Sequence, residues 1–343
     1  MTHRWRMGAS KSSCGGFVIL VLVGSLLWSC TSLPNTRGYT AATIQVKQAV
    51  GTTGDVVEEE LRSAISAGAT TANDESVKNL KAAWASTMRS LDAMVVHAQS
   101  IEQIVDAGNK GAESAKQVAD SVKNLVDAVK VDALTGAGAT VFQLSTDTVA
   151  FVYGEYSKHV SAQSLEEALE KFSPSMAKIT ALVQAQIADA RRLFDEQIEA
   201  QVQLLQTPAQ TPEDAGKRFG NWIKRRGELD ETAAQATQLL VRGIKNNKPD
   251  DIARAKVMIA NVEAGQKMIA PRLAEYEAKI QPIRQREKAG RSILGTAENA
   301  VAAWGVAHQQ LAKAVKERKP VSVESLTAAV VEVRTLMQRW REL

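Results

Sequence analysis

The chain predicts an all-α fold, an elongated helical bundle with coiled-coil-like heptad seams, and three observations carry that expectation. Apolar side chains recur at alternating steps of three and four residues over long stretches, the spacing that lines one face of a helix. Aromatic residues make up only 5 % of 343 residues, too few for a thick globular core. Helix-start and helix-stop signals punctuate the periodic stretches. Stability therefore has to come from long helices with many small apolar side chains, set against a backbone entropy cost of roughly 1 to 2 kcal/mol per residue.

The first thirty residues differ from the rest. Arg4, Arg6 and Lys11 precede an uncharged apolar run from Phe17 to Leu27, which leads into Leu27-Trp28-Ser29-Cys30. The run is about half the roughly 20 residues that span a bilayer as a helix. This segment resembles the signal of bacterial lipoproteins, on Leu27 three positions before the cysteine, Ser29 directly before it, and Cys30 itself. Trp28 departs from the pattern, which has a small residue there. The resemblance covers only the signal. It implies cleavage of residues 1-29, attachment of acyl chains such as palmitate at Cys30, and a stable anchor from several chains together. Thr31, rather than Asp, after the cysteine implies export to the outer membrane, facing the periplasm, if the cell is Gram-negative. The other readings of this stretch are an ordinary cleaved signal and an uncleaved anchor with an inert cysteine.

Removing the leader changes the electrostatic picture. It holds three of the 42 basic residues and none of the 38 acidic ones, which leaves 39 against 38. General nucleic-acid binding has no support from that balance. Cys14 is lost with the leader, so Cys30 has no partner for an internal disulfide.

Residues 30-52 read as a tether followed by a short helix over Thr40 to Val50. Asp55 and Glu58 then match an N-terminal capping pair, with Glu58, Glu59 and Glu60 as first-turn acids favoured by the helix dipole; a paired-carboxylate site is the sharper alternative. From Asn73 a seam runs through Leu80, Trp84, Thr87, Leu91, Met94, Ala98, Ile101 and Val105. It breaks at Gly108 to Gly111 and resumes with Val118, Val122, Leu125 and Val129. The good helix formers on both sides favour a weak point in one longer helix over a tight reversal. Residues 132-154 differ from the rest: Val131 to Phe142 is small, apolar and uncharged except at Asp132, and Val149, Ala150, Phe151, Val152 and Tyr153 add a second apolar patch. They read as a loop and a buried helix start, or alternatively as a membrane-seeking head; each patch is too short to span.

Ser164 to Glu167 is a capping box, and Ser173-Pro174 predicts a new helix carrying Ile179, Val183, Ile187, Phe194, Ile198, Val202 and Leu205 on its apolar side. Thr207 to Asp214 reads as a linker, with Thr211 as cap and Pro212 inside the next helix. This divides a helical region 53-206 from a second, 207-343, although the two can form one continuous bundle. After Asn246-Asn247-Lys248-Pro249 one seam runs from Ile252 to Val315, about 95 Å if helical throughout. Pro271, Pro282 and Gly290 should kink or interrupt it, and Glu287 and Gly290 at seam positions favour a turn near 287–292 and two antiparallel helices. Lys316 to Pro320 is a helix end, and a last helix uses Val323, Leu326, Val330, Val333, Met337 and Trp340.

No catalytic, cofactor or metal site is predicted. His97, His159 and His308 lack metal-ligand spacing, and Gly136-Ala137-Gly138 lacks the rest of a nucleotide-binding fingerprint. Trp84, Trp304 and Trp340 sit at seam positions. Trp222 beside Lys224, Arg225 and Arg226 offers an anionic envelope polymer a contact, and Arg284, Arg286, Lys288 and Arg291 form a second basic stretch; a solvated face is the plainer reading of both. The expectation is a non-enzymatic structural or adaptor protein, joined to the membrane through lipid at Cys30 and meeting helical proteins or itself through long faces. The alternatives are a membrane-permeabilising protein acting through 132-154, and a ligand-binding or hydrolytic protein with a bundle cavity near Gln266.

Overall fold

The computed structural model describes residues 35–69, 74–108, 111–130, 139–159, 162, 164–211 and 214–343. Among them every regular element is helical, so the all-α expectation holds. The helices are α1 (Arg37–Gly51), α2 (Thr53–Ser66), α3 (Asp74–Asp106), α4 (Ala112–Val129), α5 (Ala139–His159), α6 (Leu165–Gln206), α7 (Gly220–Lys245), α8 (Pro249–Glu317) and α9 (Glu324–Trp340).

The spine is α8, whose 69 residues give about 100 Å of helix at 1.5 Å per residue. Along the line from Ile252 to Val315 every predicted seam residue is buried or half-buried except Gln266, which is exposed. The predicted turn near 287–292 does not form, because Gly290 has a tertiary purpose. A Cβ there would stand 2.2 Å from Cζ of Phe194, so the missing side chain is what lets the Phe194 ring lie against the helix. Gly290→Ala should therefore destabilise the protein by about 2 kcal/mol, the overpacking cost exceeding alanine's advantage of about 1 kcal/mol as a helix former. Urea unfolding measures this, and recovery in the Phe194→Leu background would identify the clash as the cause.

Prolines inside the long helices end neither of them. Pro174 lies within the 42 residues of α6, and Pro271 and Pro282 lie within α8. All three are exposed, as are Glu170, Lys267 and Ala278 four residues earlier, so solvent can take the carbonyls that lose their partners. The start of α6 is set instead by Ser164, whose hydroxyl accepts from the Glu167 backbone N–H at 3.2 Å, as the capping box predicts.

Helix α6 runs antiparallel to the spine, from Lys316–Glu170 at one end to Gln206–Tyr276 at the other. On it pack α3, α4 and α5. Gly108 (φ 68) closes α3 in the left-handed region, and the chain then reverses, bringing Ser121 of α4 back against His97 of α3. The expected uninterrupted helix is thus a hairpin: glycine terminates what the flanking helix formers would extend. Helix α5 returns along α4, with Tyr156 on Asp120 at 2.9 Å and Tyr153 on Asp127. Helices α1 and α2 are joined by the single residue Thr52, which makes no side-chain cap. Asp55 therefore lies inside the first turn rather than capping it.

Residues 37–51 contribute Tyr39, Val46 and Val50, all fully buried, to the same core that holds Leu125, Phe172, Phe194 and Trp304. The linker after α6 forms a short turn at Asp214–Gly216, where Thr211 accepts from the Asp214 N–H at 3.2 Å. The helix itself starts later than predicted, at Gly220. From there α7 and the first half of α8 form a two-helix arm with its own thin core of Leu229, Val262 and Ile269. The predicted turn at Asn246–Pro249 forms its tip. Asn247 is left-handed (φ 48), and Lys248 N–H closes on Gly243 O at 2.8 Å. At the far end Arg318 (φ 54) terminates α8, and α9 buries Leu326, Val330, Val333, Met337 and Trp340 as expected.

Candidate functional site

Two histidines 211 positions apart meet in the core of the bundle. Nε2 of His97 on α3 lies 3.1 Å from Nε2 of His308 on α8, with ring centroids 5.2 Å apart. Ser121 Oγ lies 2.8 Å from His97 Nδ1 and also donates to Val118 O at 2.8 Å. Because that bond uses the only serine proton, Ser121 accepts from His97 Nδ1–H. His97 Nε2 is then a bare lone pair that accepts from His308 Nε2–H. The chain ends at His308 Nδ1, a lone pair without a partner among the described residues.

The surroundings are aromatic and uncharged. Trp304 lies 5.9 Å and Tyr39 6.4 Å from His308 between centroids, and Trp304 Nε1 donates to Thr43 Oγ1 at 3.1 Å. Burial pushes His308 down to about 4, and burial followed by the His308 charge holds His97 well below the ordinary histidine value. Burial also raises the Tyr39 phenol well above its usual range. Both imidazoles are neutral near pH 7. At most 1 % exposed, they contact protein rather than substrate. Their arrangement suits a titratable internal fastening between α3 and α8. Among the described residues no group of three or more His, Cys, Asp and Glu is arranged to hold a metal ion.

A second buried polar cluster sits nearer the arm. Glu60, fully buried, receives Arg286 Nε at 3.1 Å and Gln201 Nε2. The run Glu58 to Glu60 is thus neither a set of dipole-paired acids nor a paired-carboxylate site. Glu58 pairs with Arg62 at 2.9 Å and Lys81 at 3.0 Å, and Glu59 accepts from Trp340 Nε1 at 2.9 Å. The basic stretch is likewise dispersed. Arg286 turns inward, Arg284 pairs with Glu287 at 2.6 Å, Arg291 pairs with Asp195 at 2.8 Å, and Lys288 is exposed.

On the arm, Trp222 packs beside the small core, and Arg225 and Arg226 pair with Glu228 and Asp230 of their own helix. Gln266 faces solvent, not a cavity. His159 pairs with Glu155 at 3.1 Å and packs edge-on against Phe172. Trp84 donates to Gly51 O at 3.2 Å. Within 132-154, Val141 and Val152 are buried and Phe151 receives Lys178 at 4.8 Å, whereas residues 131–138 and the Phe142 side chain lie outside what the structure describes. Cys30 lies outside it too. No described helix is long and apolar enough to cross a membrane.

The sequence displayed each histidine but no signal linking them, since the pairing depends on which helices become neighbours. No family model, curated protein or solved structure matches the chain.

Proposed function

We propose that the protein is a lipid-anchored, periplasm-facing structural adaptor of the cell envelope that carries a two-helix arm at a set distance from its membrane. The observation that supports this most strongly is the polarity of the spine. Helix α1 runs antiparallel to α8: Thr43 meets Trp304, and Glu60 of the following helix meets Arg286. The chain therefore enters the bundle at the C-terminal end of α8, with Arg37 on Asp106 at 2.9 Å and Gly38 beside Val323. Cys30 precedes Arg37 by seven positions, whereas the arm tip at Asn246–Pro249 lies at the opposite end of the helix. A lipid at Cys30 would tie one end of the rod down and leave the other to reach helical partners or a second copy.

In cells, the wild-type chain should partition with the outer membrane and stay there through a high-salt wash, whereas the same wash should release Cys30→Ser to the soluble fraction. A photo-crosslinker at Met268, exposed on the arm behind its tip, should give discrete adducts that disappear with Cys30→Ser. Membrane retention of Cys30→Ser after the high-salt wash, or adducts indifferent to the anchor, would remove the basis for this reading.

A further inference from the structure

The outer end of the arm is rich in exposed cations. From Gly220 to Arg286, thirteen Lys and Arg face eight Asp and Glu, while the remainder after residue 29 carries 26 against 30. Toward the root of the arm four of the cations have acidic neighbours: Arg225 on Glu228, Arg226 on Asp230, and both Arg272 and Lys279 on Glu275. Toward the tip, Arg242, Lys245, Lys248, Arg254 and Lys256 are exposed and form no ion pair among the described residues. Val241, Ile244 and Val257 stand between them, each at least 60 % exposed. The acids at this end are Asp250 and Asp251, in the first turn of α8, where the helix dipole favours them.

We propose that this tip is a docking surface for an anionic lipid bilayer. Two helix ends and a tight turn make a convex knob, not a groove. Arg242 and Lys245, three residues apart, share a face of the first helix, whereas Arg254 and Lys256, two residues apart, point to different sides of the second. A convex, many-sided basic surface suits a broad, yielding anionic plane, where each Lys or Arg adds its own attraction. A shaped protein partner would call for cations in one register. The aliphatic side chains between the cations enter the headgroup boundary. The attraction falls off within a Debye length, so it weakens with salt. The proposal deepens the anchored-adaptor reading by supplying the second surface, but the docking itself does not require lipid at Cys30.

The test is co-sedimentation of the chain from residue 30 onward, carrying Cys30→Ser, with vesicles of phosphatidylglycerol and phosphatidylcholine or of phosphatidylcholine alone. Binding should be at least about tenfold stronger to the anionic vesicles and should be lost in high salt. Reversing Lys245→Glu, Lys248→Glu and Lys256→Glu together should reduce it about tenfold or more, while reversing the exposed body residues Lys116, Lys130 and Lys288 to Glu should leave it within about twofold. Should the tip variant melt early, Gln at the same three positions provides the same comparison. No preference for anionic vesicles, or equal loss in both reversal sets, overturns the proposal. Intact vesicle binding with loss only of arm crosslinks to an acidic protein also overturns it, in favour of a protein partner. Because this chain cannot be lipidated, failure of the tip and failure of the anchor are read separately.

Discussion

Acidification from about pH 7 to about pH 5 is expected to weaken the bundle steeply, and replacing both core histidines with phenylalanine is expected to flatten that dependence. Burial lowers the folded pKa of His308 from 6.5 to about 4 and depresses His97 in the same direction. The unfolded chain therefore takes up protons that the folded chain refuses. The stabilisation is fully present above about pH 6.5 and is lost as the pH falls from there toward the folded values. Over its whole window His308 accounts for about 3 kcal/mol, at about 1.4 kcal/mol per pH unit, and His97 adds to it. The geometry explains the resistance to protonation. A first proton on His308 Nδ1 creates a charged N–H without an acceptor, and a second on His97 Nε2 sets two donors against each other at 3.1 Å. Urea unfolding between about pH 7 and pH 5 stays above most carboxylate titrations. Parallel curves for the wild type and His97→Phe/His308→Phe would end the argument.

The other large effect belongs to Arg286. Its replacement by Met should cost about 3 to 5 kcal/mol, because it leaves the Glu60 charge, 0 % exposed, with only the Gln201 amide. If Arg286, with 27 % of its side chain exposed, acted as an ordinary surface partner, the cost would be under about 1 kcal/mol. Chemical denaturation separates these outcomes. A second change, Glu60→Leu, should recover most of the loss by removing the stranded charge, and a single-site loss below about 1 kcal/mol would refute the buried-pair account.

Local regularities were legible. The rows Leu80 to Val105 and Ile252 to Val315, the cap at Ser164, the turn at Asn246–Pro249 and the stop after Glu317 depend on neighbours within a few turns, and the structure has each of them. What escaped depends on distant partners. Gly290 reads as a breaker until Phe194 is seen against it, and Pro174 reads as a start until Ser164 is seen to provide one. Arg286 reads as part of a solvated basic face until Glu60, 226 positions away, is found beneath it. The histidine pair is the same case. No spacing rule joins His97 to His308, since their encounter follows from α3 and α8 lying side by side.

Because α8 is common to the bundle and the arm, the arm has no joint. A flexible linker of 69 residues would have a root-mean-square span of only about 45 Å and would fluctuate around it. The same residues wound into one helix, braced by α6 over half its length and by α7 over the rest, behave as a strut. Such a member resists compression as well as extension. A sideways load at Asn247 becomes a bending moment near Tyr276 to Gly290, borne by Phe194, Gln206 and the Glu60–Arg286 pair. The length of such a member is thus set by helical rise, not by chain statistics.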